Sequence, residues 1–337
     1  MIYDGINSQD MKYRVGPLIY MPGLRNDIAE KISGFHADGA MSAAICLEDT
    51  IKDSMVEEAE HNTALQLQRL GEMIKNGSAD PERLPLIFIR VRTPAQIERM
   101  ISLPGADVKY LCGFILSKID DETICSYSSI IEKISEQCEK HFYYMPIIEN
   151  PSLLELKTRY DRLSRLKEKL DDIGEHILNV RVGGNDFCKA LSLCSSITQT
   201  IYDFFPVANL LSDISVTFSS DYVVSAPVWN YFGSPSETLW KQGMRREMVS
   251  DNAMGFFGKT VIHPVQINEV IENMKVSRED YDDARLILGT GDNDMQVIKG
   301  TAGNRMYEHK VHSGWARKIL SAAEIYGIKE CSEECVQ

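Results

Sequence analysis

Short apolar runs alternate with amphipathic segments along most of this chain. The segments between the runs repeat their apolar positions with the period of a helix, whereas the runs themselves have the length of buried strands. The strand-like runs are Leu18–Met21, Ala43–Leu47, Leu86–Val91, Gly113–Leu116, Tyr143–Asn150, Asn179–Phe187, Val223–Ala226 and Lys259–Ile262. Eight strands that alternate with helices predict an α/β fold of the (β/α)8 TIM-barrel type.

The runs are continuously apolar, as in parallel strands that are buried on both faces. A doubly wound open sheet is the alternative, but no G-x-G-x-x-G segment and no P-loop is present. We therefore predict a TIM-barrel catalytic domain over residues 1–275. The C-terminal extension, residues 276–337, has a predicted acidic, glycine-rich loop at Gly289–Gly303 and a final helix near Lys310–Tyr326. Val311, Trp315, Ile319 and Tyr326 form an apolar stripe on that helix, which indicates a lid or a subunit contact.

Two acidic residues follow neighbouring strands of the predicted barrel. The fifth and sixth strand-like segments each end in a carboxylate, Glu149 and Asp186, with a helical segment between them. A parallel pair joined by a helix brings both strand ends to the same edge of the sheet, so the two carboxylates should face a common space. Their repulsion is most simply relieved by a hard divalent ion that keeps open positions for water and substrate.

Other charged residues also lie at predicted strand ends, which form the active-site face of a barrel. They are Glu48, Asp49, Arg90, Arg92, Lys118 and His263. Charged groups seldom gather at the ends of buried strands for stability alone, since each must be hydrated or paired. An ionic network that simply closes the barrel mouth is the structural alternative for each of them.

Composition restricts the partners. The chain has 337 residues, of which 44% are hydrophobic and 25% charged, with a net charge of -13 and a pI near 5.1. An acidic protein of this kind is a poor match for nucleic acid or for an anionic membrane surface.

Eight cysteines without C-x-x-C spacing, and the absence of an apolar leader or span, predict reduced thiols in a cytoplasmic protein. The cysteines are Cys46, Cys112, Cys125, Cys138, Cys188, Cys194, Cys331 and Cys335.

Several short motifs occur in the order found in one enzyme family. They are Pro22-Gly23, Leu47-Glu48-Asp49, Arg90-Val91-Arg92, Leu116-Ser117-Lys118, Ile147-Ile148-Glu149, Gly183-Gly184-Asn185-Asp186 and the run from Gly258 to Ile267, G-K-x-x-I-H-P-x-Q-I. From about Leu18 to Tyr326 the chain resembles the citrate lyase beta subunit-like enzymes of the HpcH/HpaI aldolase superfamily. It looks most like a divergent branch described as carbon–carbon bond lyases of the TIM-barrel fold.

The resemblance implies roles for individual residues. Glu149 and Asp186 match acids that bind Mg2+ or Mn2+, and Arg90 matches an arginine that contacts the substrate carboxylate or carbonyl. Glu48 and Asp49 match acids that orient metal-bound water or that arginine. Arg92 and Lys118 are expected to add substrate contacts, and Glu308 is the candidate for a lid carboxylate that often comes from a neighbouring subunit. Family members are commonly trimers or hexamers, so a homo-oligomer is expected.

The implied reaction is a retro-aldol or Claisen-type cleavage through a metal-stabilised enolate. Its substrate would be a small carboxylic acid or its acyl-CoA thioester, and Asp49, Glu48 or a metal-bound water would move the proton. Cys46, Arg92 and Ser117 depart from the family motifs D-L-E-D, R-V-N and L-P-K. These departures indicate a substrate that differs from citryl or malyl thioesters or is more anionic than they are. Two other functions stay open: a thioester hydrolase that uses the same site, and a catalytically weak barrel that acts as an assembly or regulatory partner.

A few features have a functional and a structural interpretation at this stage. His263 is either a general base or a turn residue, with the turn favoured, and Gly183-Gly184 either cradles a phosphate or lets the chain turn sharply. The aromatic residues Trp229, Tyr231 and Phe232 either line a pocket or pack beneath a lid. Asp292-Asn293-Asp294 lacks the spacing of a calcium loop and is expected to be a solvated loop.

Overall fold

The eight predicted strands form one parallel barrel in the computed structural model, which describes residues 8–35, 39–289 and 297–329. The barrel strands are β1 (Pro17–Pro22), β2 (Ser42–Cys46), β3 (Leu86–Val91), β4 (Gly113–Leu116), β5 (Tyr143–Ile148), β6 (Val180–Val182), β7 (Val224–Ser225) and β8 (Lys259–Val261). Each strand pairs with its neighbours in chain order, and β1 pairs with β8. A bridge between Ala226 and Lys259 closes the barrel, so the prediction of a (β/α)8 fold is confirmed.

Helices surround the barrel and continue beyond it. They are α1 (Ser8–Arg14), α2 (Ile28–Gly34), α3 (Val56–Lys75), α4 (Pro94–Ser102), α5 (Ile124–Gln137), α6 (Arg159–Asp172), α7 (Gly184–Ala190), α8 (Phe205–Phe218), α9 (Leu239–Ala253), α10 (Val265–Met274), α11 (Arg278–Gly289) and α12 (His309–Tyr326). The main core lies between the strands and this ring, where Ile45, Ile89, Phe114 and Ile148 are fully buried. None of the described helices is long and apolar enough to cross a membrane.

The inside of the barrel changes from apolar to charged along its axis. Leu86 and Phe88 on β3 are buried in a second cluster inside the barrel, and Arg90 is the next residue on the same face. On β5 the same alternation runs from Met145 to Glu149, just past the strand. The closed, apolar lower layers support the barrel, and the charged side chains gather at its carboxyl end.

The C-terminal extension begins with α11 and contains a hairpin that the sequence pattern did not indicate. Strands β9 (Val297–Lys299) and β10 (Met306–Glu308) pair antiparallel, so the prediction of a loop over Gly289–Gly303 is wrong for its second part. Asp283 on α11 accepts hydrogen bonds from the backbone N and hydroxyl of Thr301 and from the hydroxyl of Tyr307. This one buried carboxylate ties the hairpin to α11.

Helix α12 returns to the barrel at the end opposite the strand exits. The Tyr326 hydroxyl donates to the carbonyl of Tyr13, just before β1, and the Lys318 Nζ donates to the carbonyl of Gly255, before β8. Of the predicted apolar stripe, Tyr326 is buried and Trp315 and Ile319 are partly buried, but Val311 is exposed. A separate domain over residues 276–337 with a lid or oligomerisation role remains a prediction. The Asp292–Asp294 segment and the Cys331 and Cys335 thiols lie outside the described residues.

Candidate active site

A cluster of ionic side chains occupies the carboxyl end of the barrel. Glu48, Asp49, Arg90, Lys118 and Glu149 are joined directly, and we refer to these five residues with Asp186 as the mouth cluster. The Nη2 of Arg90 lies 2.7 Å from Glu48 Oε2, 2.8 Å from Asp49 Oδ2 and 2.9 Å from Glu149 Oε1. Strands β2, β3 and β5 therefore bring together four residues that are as many as 101 positions apart (48 to 149). The sequence prediction that these strand ends converge is confirmed.

Arg90 is held in one orientation from both sides. Its Nε donates to the hydroxyl of Ser117 at 2.8 Å, and its guanidinium lies 5.7 Å from the ring centre of Tyr20. Burial alone would lower the pKa of Arg90, but the charges of Glu149 and its other neighbours raise that pKa above its usual value. Ser117 thus supplies an acceptor that fixes the arginine.

Lys118 contributes its backbone as well as its ammonium group. It adopts a left-handed conformation with φ of 53°, which is uncommon for a residue other than glycine. Its N–H donates to Glu149 Oε1 at 3.0 Å, while its Nζ lies 2.6 Å from Glu48 Oε1 and 2.9 Å from Asp49 Oδ1. Lys118 and Arg90 together therefore hold the Glu48–Asp49 pair in the mouth.

The two acids after β2 have opposite pKa shifts. Burial is the main cause that raises the pKa of Glu48. Burial also opposes ionisation of Asp49, but the hydrogen bonds with Glu48 and Lys118 and the charge of Arg90 lower its pKa to about 2. Glu48 is consequently the member of this pair that holds a proton more readily.

Glu149 presents one oxygen to the protein and leaves the other available. Its Oε1 accepts from Arg90 and Lys118, whereas Oε2 faces β6 beside Gly183. A Cβ atom at Gly183 would collide with Glu149 Cβ and Oε2, so the absent side chain permits this approach. Of the two alternatives for Gly183, the geometry therefore supports a close turn. Burial, followed by the charge of Asp186, raises the pKa of Glu149 to about 7, although Arg90 opposes this.

The donor set is suitable for a magnesium ion. From the described residues, neither Glu149 Oε2 nor the half-buried Asp186 carboxylate accepts a hydrogen bond. Three or more potential ligands of the His, Cys, Asp or Glu type do not converge anywhere in the described part of the chain. Two carboxylates with the remaining positions left to water and substrate are what Mg2+ commonly uses. By formal charge, four acids face two bases in the mouth cluster, which leaves room for two positive charges.

Arg92 lies at the mouth but holds a loop. Its Nε donates to the Leu47 carbonyl at 2.7 Å and its Nη2 to the Glu48 carbonyl at 2.7 Å, with a further contact to the Ile51 carbonyl. Its Nη1 pairs with Asp53. These contacts fix the segment that carries Glu48 and Asp49, and a direct substrate contact by Arg92 remains a prediction.

Glu308 is not among the side chains that this chain brings to the mouth. It ends β10 at the start of α12, it is exposed, and its backbone N and O contact His312. The family resemblance implies that Glu308 acts as a lid carboxylate contributed by a neighbouring subunit. That role remains a prediction.

The residues after β7 and β8 are tied together by a glutamine that sequence inspection did not single out. The Gln266 amide accepts from the N–H groups of Ile262 and His263 and donates to the carbonyls of Trp229 and Tyr231. His263 Nδ1 accepts from a backbone N–H and its ring stacks on Phe232 at 4.4 Å, as expected for a turn residue. In the sequence, the role of Gln266 was indicated only by its place in the G-K-x-x-I-H-P-x-Q-I motif.

A cleft opens beside Asp186, between the loops that follow β6 and β7. Asn185, Cys188, Trp229, Asn230 and Glu247 are among its lining residues. Trp229 is itself almost fully buried, and the hydroxyl of Tyr231 donates to the carbonyl of Ser195. Of the aromatic residues after β7, Trp229 therefore lines a cleft, while Phe232 packs on His263.

Comparison with known proteins gives one family and several similar structures. Residues 9–328 match the model of a family described as C-C bond lyase of the TIM-barrel fold. CitE from Mycobacterium tuberculosis, in complex with magnesium, acetoacetate and coenzyme A, is 16% identical, with 92% of this chain and 99% of that chain covered and a TM-score of 0.54. A magnesium/glyoxylate complex of Haloferax volcanii malate synthase is 13% identical, with 91% and 87% covered and a TM-score of 0.57.

A third similar structure is RipC from Yersinia pestis, which is 14% identical, with 78% of this chain and 95% of that chain covered and a TM-score of 0.51. No curated protein matches the sequence. At such low identities the similar structures support the fold alone.

Proposed function

Because this chain belongs to the family of carbon–carbon bond lyases of the TIM-barrel fold, we propose that it cleaves a small carboxylic acid, or its acyl-CoA thioester, with the help of Mg2+. The observation that carries this proposal is the pair of carboxylate groups, Glu149 Oε2 and Asp186, left without described protein donors beside Arg90. Crystals of CitE with magnesium, acetoacetate and coenzyme A, and of a malate synthase with magnesium and glyoxylate, support the choice of metal and ligand class.

Arg90 would orient the substrate. A guanidinium fixed by Ser117 and Glu149 keeps its planar donors close to the position where oxyanion charge develops during cleavage. A Mg2+ ion held by Glu149 and Asp186 would supply positive charge that stabilises the developing oxyanion. Loss of one such preorganised donor typically costs about 3 kcal/mol of transition-state stabilisation.

Glu48 is our candidate for proton transfer. Asp49 is the other candidate at the mouth, but hydrogen bonds and the charges of Arg90 and Lys118 hold Asp49 ionised. Glu48 lies within 2.7 Å of Arg90 Nη2 and has a raised pKa caused mainly by burial, so it exchanges a proton closer to neutral pH than Asp49 does. It would take the proton of a substrate hydroxyl and return a proton to the product.

The test combines metal binding with product analysis. We expect calorimetry to show Mg2+ binding to the parent protein and none to Glu149→Gln or Asp186→Asn, with both variants still folded. The parent should then be incubated with Mg2+ and a panel of hydroxy acids, keto acids and malyl or citramalyl thioesters. Two carbon fragments support a lyase, whereas free acid and thiol indicate a thioester hydrolase. Undiminished Mg2+ binding by the double variant would refute the metal site.

A further inference from the structure

A second arginine lies inside the barrel, below the mouth cluster. Arg181 is the middle residue of β6, is 2% exposed, and is among the largest fully buried side chains. Its Nη2 donates to the hydroxyl of Thr260 on β8 at 2.7 Å, and Tyr20 on β1 also packs against the cluster inside the barrel. Burial lowers the pKa of Arg181, and the nearby phenol of Tyr20 opposes this shift. Tyr20 is near both arginines: the guanidinium of Arg90 lies 5.7 Å from its ring centre, and the charges of both arginines oppose the rise in the pKa of its phenol that burial causes.

The two arginines differ in how their charge is balanced. Arg90 has Glu48, Asp49 and Glu149 within 2.9 Å. Arg181 has no carboxylate within ion-pair distance among the residues at positions 8–35, 39–289 and 297–329, and its Nε and Nη1 are buried without a hydrogen-bond partner there. An isolated buried charge costs several kcal/mol, so an uncompensated guanidinium at this position indicates that something negative joins it.

Tyr20 connects this charge with the mouth. It is only half-buried, unlike Arg181, and it lies on the inner face of β1 two residues before the strand ends at Pro22. The phenol of Tyr20 has an O–H to donate, and its oxygen can also accept from Arg181. An anion that enters the mouth can therefore accept a hydrogen bond from Tyr20 and experience the positive charge of Arg181 behind it.

We propose that Tyr20 and Arg181 form an anion-binding subsite at the floor of the mouth, which takes a second carboxylate of the substrate. This deepens the proposed function and rests on it for its role in turnover, because it makes the substrate a dicarboxylic acid or a comparable dianion. Arg90 and the metal would hold one anionic end, and the subsite would hold the other. Tyr20 contacts the anion, and Arg181 acts through Tyr20 as a positioning residue.

The subsite is tested with two stable probes that differ by one carboxylate, malate and lactate. Their binding to the parent, Arg181→Met and Tyr20→Phe is measured by calorimetry with EDTA present, and again with Mg2+. Since a hydrogen bond to a charged group contributes about 1.5–3 kcal/mol, we expect the variants to bind malate about ten- to a hundredfold more weakly. Lactate binding should change much less. Malate binding equal to that of the parent in both variants would overturn the proposal.

Thermal unfolding separates this role from a purely structural one. Methionine at position 181 removes a buried charge that has no described counter-charge, so ligand-free Arg181→Met should unfold at the same temperature as the parent or higher. Malate should raise the unfolding temperature of the parent and leave that of Arg181→Met nearly unchanged. A lower unfolding temperature together with unchanged malate affinity would show a structural role and refute the subsite. Tyr20→Phe, which keeps the ring, covers the case in which Arg181→Met does not fold.

The outcomes for the subsite and for the proposed function are distinct. If the parent cleaves no acid but Arg181→Met loses malate binding, the lyase proposal fails and the subsite stands. If the parent cleaves its substrate and Arg181→Met keeps both the parental KM and the parental malate affinity, the subsite fails and the lyase proposal stands. Mg2+ titration of Arg181→Met should match the parent in either case, since the residue is not a metal ligand.

Discussion

Two lysines of this barrel each lie between two carboxylates, but their surroundings differ. Lys118 contacts Glu48 and Asp49 at the mouth, where its side chain is 47% exposed. Lys259 begins β8, is completely buried, and lies 2.8 Å from both Glu247 and Asp251 of α9. The Lys259 network is further closed by the Tyr202 hydroxyl, which donates to Asp251, and by the backbone N of Ile201, which donates to Glu247.

The difference separates an ionic site that stabilises from one that is available for chemistry. In the Lys259 network the second oxygen of each carboxylate has a protein donor, and a strand is thereby joined to a helix. In the mouth cluster, Glu149 Oε2 and Asp186 have no described donor, and the acids outnumber the bases. A site that binds a metal and an anion must leave such groups unsatisfied, which costs stability until the ligand arrives.

The largest effect on stability is expected from the buried lysine. Lys259→Met leaves Glu247 and Asp251 in the core without a cation, and should lower the free energy of unfolding by about 3–5 kcal/mol. Lys118→Met is the matched control and should cost about 1 kcal/mol or less, because its side chain is half-exposed. Urea unfolding followed by circular dichroism measures both. Equal losses in the two variants would remove the distinction between the two regions.

Arg90→Lys should affect the mouth cluster in the opposite way to Lys259→Met. Its effect on turnover should be large and its effect on stability small. Lysine retains the charge but lacks the planar donors that Ser117 and Glu149 align. We expect kcat to fall about a hundred- to a thousandfold on whichever substrate the parent cleaves. Arg99→Lys, on the outer ion pair with Glu60, is the control and should retain parental turnover. Parental kcat in Arg90→Lys would remove Arg90 from the reaction.

Gly183→Ala tests whether Glu149 needs the space beside Gly183 in order to bind the metal. The added methyl group would displace Glu149, so we expect Mg2+ affinity to fall about ten- to a hundredfold while the barrel stays folded. Gly314→Ala on α12 is the control, since a Cβ atom there meets no other atom within 4 Å. Mg2+ titration calorimetry on both variants makes the comparison. Equal affinities would place the metal away from Glu149.

The smallest effect is a slope of stability with pH in metal-free protein. The pKa of Glu149 is raised from 4.5 to about 7 on folding, so between these values the folded state binds more protons than the unfolded state. Stability should therefore fall as pH rises through this window, by at most about 1.4 kcal/mol per pH unit from one group. Unfolding of the parent and Glu149→Gln in EDTA at pH 4.5, 6 and 7.5 isolates the contribution. Parallel curves would show that Glu149 does not titrate there.

Much of the site could be predicted because, in a barrel of parallel strands, the residues that follow each strand all lie at the same end of the barrel. Each strand exit lies on one face, so Glu48, Asp49, Arg90, Lys118 and Glu149 could be grouped without any distance, and the structure joins them by ion pairs. The final helix, predicted near Lys310–Tyr326, is α12 and spans His309–Tyr326. The β9–β10 hairpin escaped prediction, because its strands are short and glycine-rich residues flank β9 on its C-terminal side.

Alone, the sequence determined the strand order, the residues at each exit and the excess of acids there, because these follow from local hydrophobic pattern and parallel connection. Only the tertiary structure decided which charges are balanced. It directed Arg92 to the carbonyls of its neighbouring loop, placed Lys259 in a closed network, and left Arg181 beside Tyr20 without a described counter-charge. The physical reason is that ion pairing depends on distances across the barrel between residues far apart in sequence, which no local pattern encodes.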